Sequence, residues 1–397
     1  MKVEVHGLTL TYGDAVAVSD LDLTVDEGES LVLLGQSGCG KTSTMRCIAG
    51  LETPTSGVIS IGGRPVFDSG SGVNRAPNKR NIGMVFQSYA IWPHMTVFEN
   101  VAFPLRMKGR KGAEIRAAVR ETLELVGLDH LADRGASLLS GGQMQRVALA
   151  RSLAMQPSVL LLDEPLSNLD ARLRHRLRME LRELQLRLGV TSMYVTHDQD
   201  EALALADRIA LMQSGRIVQI GTPPEIYAQP GSASIAEFLG VDNIIPVTRE
   251  DGSCVRLTAT GQKVAVEPYA EGGDLRLCVR AEDVVLGPES TEGTAGGTAE
   301  GTAGGTAGVN ALPGQVARFA FQGSTVVYRI RIGAELELDA VQLRSAGPPF
   351  GLDDPVTVSL PPSAIRVLPA EVPAGSAAGS AAGFAGTAAE ASAEVPA

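Results

Sequence analysis

Short apolar runs alternate with longer amphipathic stretches over the first part of the chain. The apolar runs at 31–34 and 159–162 have the length of buried β-strands, and a further strand is predicted at 192–196. Within 113–126 the apolar residues recur every three or four positions, which is the spacing of an amphipathic helix. The predicted helices are Lys41–Ala49, 113–126, Ala171–Leu188 and 198–206. This succession predicts an α/β fold around a largely parallel sheet, extending over residues 1–240.

The pattern changes after this first part, where β-branched residues begin to alternate with polar ones. The alternation is clearest at Leu275–Val279 and Thr325–Ile332, and helical spacing is weak. We therefore predict a separate all-β domain at 241–368.

Two segments are rich in small residues and poor in large apolar ones. The first is a Gly/Thr/Ala insert at 291–309, and the second is an Ala/Gly/Ser tail at 369–397. Neither can bury enough apolar surface to offset the entropy lost on ordering. We expect a flexible loop and a disordered tail, and we assign no function to either.

Length and charge narrow the classes of function. The 397 residues allow two or three domains, and the net charge of −11 disfavours nucleic acid as a partner. The arginines of Ala171–Leu188 alternate with Leu and Glu, so we expect them to form a solvated, partly ion-paired face. No apolar stretch approaches the roughly 20 residues that cross a bilayer, and the chain does not start with a continuous apolar segment. We therefore expect a cytoplasmic protein.

A glycine-rich segment follows the first buried strand and leads into the first helix. Residues 35–42 read Gly-Gln-Ser-Gly-Cys-Gly-Lys-Thr and match the pattern G-x(4)-G-K-[ST]. Glycine-rich turns also join strands to helices for steric reasons alone, but here every fixed position matches in the required context. The curled backbone would direct N–H groups at phosphate oxygens. The lysine would add a positive charge, and the threonine hydroxyl could bind Mg²⁺. The predicted contacts are Gly35, Gln36, Ser37, Gly38, Cys39, Gly40, Lys41, Thr42 and Ser43.

Two adjacent carboxylates end the strand predicted at 159–162. Asp163 is expected to hold Mg²⁺ through water. Glu164 is placed to orient or deprotonate an attacking water. Together with the phosphate loop, these residues predict Mg²⁺-dependent hydrolysis of a nucleoside triphosphate, and they leave its purpose open.

A second glycine-rich turn, Leu-Ser-Gly-Gly-Gln at 139–143, opens a helix about twenty residues before Asp163. Followed by that carboxylate strand, it resembles the signature of the ATP-binding cassette (ABC) ATPases. The resemblance implies a head-to-tail homodimer, in which residues 35–42 of one subunit and the signature of the other enclose each ATP. The signature residues expected to contact nucleotide are Ser140, Gly141, Gly142 and Gln143.

Further positions resemble this family in the same order. Tyr12 corresponds to the aromatic residue that stacks on adenine, and Asp170 belongs to the D-loop, which reaches the opposite subunit's site. Gln87 corresponds to the Q-loop glutamine, and His197 corresponds to the switch histidine that contacts the γ-phosphate. The resemblance also implies a helical subdomain at about 88–155. It implies ATP and Mg²⁺ as cofactors, with metal ligands Thr42, Gln87 and Asp163.

Within the family, the segments at 89–101 and 197–202 resemble the ATPase subunits of bacterial binding-protein-dependent importers. The β-rich carboxyl domain resembles the OB-like TOBE domain of these subunits. The implied partners are two transmembrane permease subunits and a solute-binding protein, with the ATPase peripheral on the cytoplasmic face of the inner membrane. Residues proposed to dock the permease are Trp92, Pro93, Phe98 and Phe103, although Phe98 and Phe103 also suit the subdomain core.

Several alternatives stay open. Short segments at 63–68 and 91–96 favour ferric iron or polyamine as cargo, ahead of sugar or sulfate-like anions. A soluble, non-transport ABC ATPase would bring a long coiled coil or a second cassette, and neither is evident in the sequence. A P-loop kinase would have no use for the signature at 139–143.

Overall fold

The computed structural model describes residues 1–269, 273–289, 310–344 and 350–371. The described chain forms two units, Met1–Ile226 and a second beginning at Tyr227. The predicted low-complexity insert at 291–309 lies outside the described residues, and so does the predicted tail from residue 372 on. The predicted start of the tail at 369 is wrong, because Pro369 ends a strand and the Ala370 N–H donates to the Asp274 carbonyl.

Two sheets and a set of helices make up the first unit. Its strands are β1 (Val3–Tyr12), β2 (Ala15–Val25), β3 (Ser30–Gly35), β4 (Ser56–Ile61), β5 (Arg64–Asp68), β6 (Val73–Asn74), β7 (Ile82–Val85), β8 (Val159–Asp163), β9 (Thr191–Thr196), β10 (Arg208–Gln213) and β11 (Arg216–Gly221). The helices up to Ala228 are α1 (Lys41–Ala49), α2 (Val97–Met107), α3 (Gly112–Leu125), α4 (Gly141–Leu153), α5 (Ala171–Leu188), α6 (Gln199–Leu205) and α7 (Pro223–Ala228). The predicted strands and helices of this region are therefore present.

The larger sheet has the strand order β11-β10-β3-β9-β8-β7 and is parallel except at its β11 edge. All residues of β3, β8 and β9 are buried. Parallel strands are covered on both faces, which explains the continuous apolar runs within β3 and β8. Because their carboxyl ends share one edge of the sheet, the loops that follow β3, β8 and β9 lie together there.

The second sheet of this unit is antiparallel, with the order β2-β1-β4-β5-β6. Its inward residues, among them Val5 and Ile59, belong to the same buried cluster as Leu33 and Val195 of the parallel sheet and Ile48 of α1. One hydrophobic core therefore holds both sheets and the helix that follows the phosphate loop.

Helices α2, α3 and α4 pack against one another within the region predicted as a helical subdomain. Each buries an apolar stripe that includes Val101, Val119 and Val147, respectively. The sequence interpretation did not include α2. Its start carries a capping box, because Thr96 accepts from the Glu99 N–H and the Glu99 carboxylate accepts from the Thr96 N–H.

Helix α5 presents the arginine-rich face that the sequence predicts. Arg178 pairs with Asp200 at 3.7 Å, and Arg176 pairs with Glu180 one turn further along at 2.9 Å. The prediction of a partly ion-paired face is confirmed. The helix begins at the cap residue Asp170 and ends at Gly189, whose φ of 58° is left-handed.

Two antiparallel five-stranded sheets form the second unit. Its elements are α8 (Ala233–Phe238), β12 (Asn243–Asp251), β13 (Cys254–Leu257), β14 (Lys263–Ala265), β15 (Leu275–Val279), β16 (Val285–Pro288), β17 (Ala311–Phe321), β18 (Thr325–Ile332), β19 (Leu336–Leu343), β20 (Pro355–Ser359) and β21 (Arg366–Pro369). The sheet orders are β14-β13-β12-β15-β21 and β16-β20-β17-β18-β19. Both sheets contribute to one buried cluster, and alternate residues of β18 point into it, including Tyr328 and Ile330.

The predicted fold class, an α/β core followed by an all-β domain, is confirmed. In the described parts of the chain, no helix combines the length and the apolar composition that a membrane crossing requires.

Candidate active site

The loop between β3 and α1 has the shape that anion binding requires. Gly38 and Gly40 have φ values of 81° and 102°, which L-residues rarely adopt. A Cβ at Gly40 would lie 2.4 Å from the Ala17 carbonyl oxygen of β2, whereas a Cβ at Gly38 would meet nothing within 4 Å. No side chain caps the N-terminus of α1. The loop therefore packs tightly at its base and leaves open space beside Gly38, at the positive end of a helix.

The remaining loop residues divide into an exposed tip and a buried base. Gln36, Ser37 and Gly38 are exposed, whereas Cys39 and Lys41 are buried. The Lys41 ammonium donates to the Gly35 carbonyl at 2.7 Å and to the Gln36 carbonyl at 2.9 Å. Two loop carbonyls thus hold a positive charge inside the turn.

Thr42 and Asp163 meet across the base of the loop. The Thr42 hydroxyl donates to Oδ1 of Asp163 at 3.0 Å. Burial raises the pKa of Asp163, and the bond from Thr42 acts in the opposite direction. A hydroxyl and a carboxylate oxygen at this spacing are ligand types that Mg²⁺ takes together with substrate phosphates. Within the described residues, no three His, Cys, Asp or Glu side chains form a metal cluster, so other oxygen ligands, such as those of phosphate or water, would complete such a site.

Glu164 lies where the segments carrying Gln87 and His197 converge. Its Oε1 is 3.2 Å from Nδ1 of His197, and its Oε2 is 3.5 Å from Nε2 of Gln87. These three predicted site residues are therefore brought together. A carboxylate held between an imidazole and an amide beside a phosphate loop is placed to accept a proton from water.

The D-loop, residues 167–170, touches two of these elements. The Ser167 hydroxyl donates to the Glu164 carbonyl at 2.9 Å, and the Asn168 amide donates to the Gln87 carbonyl at 2.9 Å. Asp170 caps α5 by accepting from the Leu173 N–H at 3.0 Å. The same short loop thus supports the Glu164 turn, the Q-loop and the start of α5.

The signature turn lies beside the D-loop of its own chain. Ser140 and Gln143 form a capping box at the start of α4, with the Ser140 N–H donating to Gln143 at 2.9 Å. A Cβ at Gly141 would lie 3.0 Å from Leu169, and one at Gly142 would lie 3.1 Å from Leu177. Close packing against the D-loop and α5 therefore favours small residues here.

Tyr12 ends β1 with half of its surface exposed, at 51%. Its hydroxyl donates to Glu52, and this bond raises the pKa of Tyr12, whereas the contact with the Ser43 hydroxyl lowers it. The ring is therefore exposed and lies beside Ser43, the second residue after Lys41. Its predicted role in stacking on adenine remains a prediction.

A strained segment follows Gln87. Tyr89 and Ala90 have φ values of 60° and 48°. The guanidinium of Arg151 donates to the carbonyls of both residues, at 2.8 and 2.6 Å, respectively. Arg151 also lies over the Trp92 ring at 4.8 Å, and the Phe103 ring lies 4.4 Å from it on centroids. A single arginine of α4 therefore holds the start of the predicted docking region.

Sequence interpretation missed the roles of two charged residues near His197. Glu201 is 2% exposed and accepts from the hydroxyls of Tyr194 and Thr196, each at 2.8 Å. Arg174 contacts both the D-loop and Asp198. The Asp198-x-x-Glu201 spacing of a helix start was available as a signal, but the burial of Glu201 depends on packing that sequence spacing does not reveal.

Comparison with known proteins agrees with this geometry. The family model described as ABC transporter matches residues 18–167, and the model described as TOBE domain matches residues 277–368. A solved structure from Clostridium perfringens, cbiO1, described as part of the ABC transporter complex cbiONQ, is 31% identical with a TM-score of 0.52. The match covers 60% of this chain and 94% of that one.

Relatives extend the similarity over most of the chain. The Fe(3+) ions import ATP-binding protein FbpC of Brucella melitensis is 49% identical over 299 residues, 74% of this chain and 83% of the relative. The protein of the same name from Rhizobium etli is 44% identical over 358 residues, 89% of this chain and 91% of the relative. The Sulfate/thiosulfate import ATP-binding protein CysA of Bradyrhizobium diazoefficiens is 48% identical, over 73% of this chain and 83% of the relative. The chain belongs to the ABC transporter family and is one of its ATPases.

Proposed function

We propose that this chain is the ATP-hydrolysing subunit of a ferric-iron importer. The observation that carries the proposal is the similarity to relatives named as Fe(3+) importers, which reaches over 89% of the chain at 44% identity. A sulfate-type importer is the second candidate, because a relative named for sulfate and thiosulfate is 48% identical.

The proposed reaction begins with ATP seated on the phosphate loop. Loop N–H groups and Lys41 bind the β- and γ-phosphates, and the exposed ring of Tyr12 stacks on adenine. A water held by Glu164 gives its proton to that carboxylate, its oxygen bonds to the γ-phosphorus, and the bond to the bridging oxygen breaks to release ADP. His197 and Gln87, which both lie against Glu164, contact the γ-phosphate and orient the water.

Mg²⁺ suits the pair formed by Thr42 and Asp163, and the Gln87 side-chain oxygen would be a further ligand. The short distance between the Thr42 hydroxyl and Asp163 supports this assignment. When bound, the ion supplies positive charge that stabilises the phosphate oxygens during transfer.

The functional unit proposed is a head-to-tail homodimer. The signature turn packs on its own D-loop and leaves Ser140 exposed, so it is available to the nucleotide of a second copy. In this arrangement the residues 140–143 of each subunit close the phosphate loop of the other, and Asp170 comes close to the opposite site. Two identical sites then arise from one two-fold interface.

The proposed membrane partners are two permease subunits served by a solute-binding protein. The ATPase would lie peripherally on the cytoplasmic face, with its helical subdomain at about 88–155 turned to the permeases. Trp92, together with exposed Pro93, provides the docking surface, and Phe103 packs beneath it. Opening and closing of the dimer would reach the permeases through the segment after Gln87.

Uptake measurements test the proposed cargo. A host strain lacking the gene should take up labelled ferric iron poorly, and the wild-type gene should restore uptake. The gene carrying Lys41→Ala should not restore it, because the phosphate-binding charge is lost. Sulfate uptake in the same strains is the matched control. If the strain lacking the gene lost sulfate uptake and kept its iron uptake, the iron proposal would be overturned in favour of the second candidate.

A further inference from the structure

Arg174 bridges two segments of the active site from the first turn of α5. One guanidinium nitrogen donates to the Leu169 carbonyl of the D-loop at 3.0 Å and lies 3.5 Å from the Ser167 carbonyl. The other terminal nitrogen lies 3.4 Å from Oδ2 of Asp198. A planar, multidentate group of this kind fixes the position of one segment relative to the other.

On the far side of this bridge, Asp198 controls the backbone around His197. Asp198 caps α6 by accepting from the Glu201 N–H at 3.0 Å, and its own N–H donates to the Thr196 hydroxyl at 2.9 Å. His197 lies between these two anchored residues. Any shift of Asp198 therefore moves the imidazole that meets Glu164.

The bridge is also incomplete. The Nε of Arg174 is buried without a hydrogen-bond partner among the described residues, and Oε1 of Glu201 lies 4.0 Å from it. A shift of about 1 Å would bring this N–H into hydrogen-bonding range of the carboxylate. The guanidinium thus has a second favourable position available, displaced toward α6.

We propose that Arg174 is a positioning residue that transmits the position of the D-loop to His197. The inference rests on the proposed function, because the D-loop meets a second copy only in the head-to-tail dimer. Contact of the second copy with residues 167–170 moves the Leu169 carbonyl, the guanidinium follows, and Asp198 carries His197 with it. The hydrolytic site thereby becomes dependent on the presence of the opposite subunit.

The test compares two arginines of α5 in the full-length protein. Arg182 is the matched control, because it also joins α5 to the segment of α6, through Leu205 at 3.1 Å and Asp207 at 2.6 Å, but at the end away from His197. Arg174→Met should lower kcat by about 100-fold, as expected when a reacting group is misplaced by about 1 Å. KM for ATP and the affinity for a fluorescent ATP analogue should change by less than about twofold, because ground-state binding is untouched. Arg182→Met should leave kcat within about twofold of wild type.

Two further variants separate positioning from folding. Arg174→Lys keeps the charge without the planar fork, and its kcat should fall between Arg174→Met and wild type. Asp198→Asn keeps a good helix cap but loses the charged partner, and its loss of kcat should not multiply with that of Arg174→Met. Equal losses in Arg174→Met and Arg182→Met, or multiplicative losses in the double variant, would overturn the proposal.

The wild-type protein distinguishes this inference from the proposed function. If wild type hydrolyses ATP with a rate per subunit that rises with protein concentration, the dimeric ATPase stands. An unchanged kcat in Arg174→Met then overturns the Arg174 inference alone. Wild type that hydrolyses ATP while sedimenting as a monomer at the assay concentration would overturn the dimer and, with it, the role assigned to Arg174.

Discussion

Glu164 reaches both of its neighbours because of its backbone. Its φ of 44° is left-handed, and its N–H donates to the Val195 carbonyl at 3.0 Å. The chain therefore leaves the line of β8 immediately after Asp163, and the two adjacent carboxylates diverge. Such a conformation costs about 1–3 kcal/mol for a residue other than glycine and persists where surrounding contacts hold it.

Replacement of Glu164 with Gln tests its role as the base. The amide keeps the size of the side chain and one acceptor oxygen but cannot take the proton of water, so kcat should fall by about 10²–10⁴-fold. Binding of a fluorescent ATP analogue should be retained, because Glu164 does not form the phosphate loop. Steady-state ATPase and equilibrium titration measure the two effects. Turnover at the wild-type rate would remove Glu164 from this role.

The buried carboxylate of Glu201 predicts a pH-dependent stability. Burial raises its pKa, although hydrogen bonds from Thr196 and Tyr194 act in the opposite direction. An acid whose folded pKa exceeds its unfolded value makes the protein more stable as the pH falls through the folded pKa. Glu201→Gln should therefore stabilise the fold most at neutral and higher pH, with the gain shrinking toward the unfolded pKa of about 4.3. Urea unfolding of both proteins across this range measures the difference, and a gain independent of pH would contradict it.

At the scale of elements, the phosphate loop offers a matched pair of glycines. Gly40→Ala adds a Cβ that would lie 2.4 Å from the Ala17 carbonyl oxygen, so β2 or the loop must move. Gly38→Ala has the same adverse sign of φ but open space around it, and should cost only about 1–2 kcal/mol. We expect Gly40→Ala to lower the free energy of unfolding by more than about 3 kcal/mol, because a specific structural conflict adds to the cost of the positive φ. Chemical denaturation of both variants tests this expectation. Equal losses of unfolding free energy would show that the positive φ, and not the contact with Ala17, determines the cost.

Elements with local start and stop signals could be predicted closely from the sequence. The bounds of α1 and α5 match the prediction to the residue, since Gly50 and Gly189 end them in left-handed conformations and Asp170 caps the second. Apolar runs likewise revealed the buried strands β3 and β8. The motif spacing also predicted that Glu164 would follow a strand beside the phosphate loop.

Contacts between distant segments could not be predicted in this way. Glu201 is a surface-type residue in the first turn of a short helix, and its burial arises only when α6 packs against β9 and α5. Arg174 and Arg151 look like ordinary members of solvated helices until the D-loop and the segment after Gln87 fold onto them. Charge pairing across such separations depends on tertiary packing, which periodicity does not encode.

At the scale of the whole molecule, the head-to-tail arrangement predicts complementation between two inactive proteins. Lys41→Ala disables the phosphate loop, and Ser140→Arg blocks the signature. In a mixed dimer one site carries both defects and the other carries none, so random mixing should restore about a quarter of wild-type ATPase. ATPase measured after mixing equal amounts tests this. Each variant alone is the control, and a mixture as inactive as its components would contradict the arrangement.

The paired left-handed residues Tyr89 and Ala90 make the segment after Gln87 depend on a contact with another element. Each conformation costs about 1–3 kcal/mol, and the two bonds from Arg151 offset that cost only while α4 stays in place. Without these bonds the strain at Tyr89 and Ala90 would be uncompensated, so the segment would favour other backbone conformations. The conformation of this segment is therefore conditional on the position of α4.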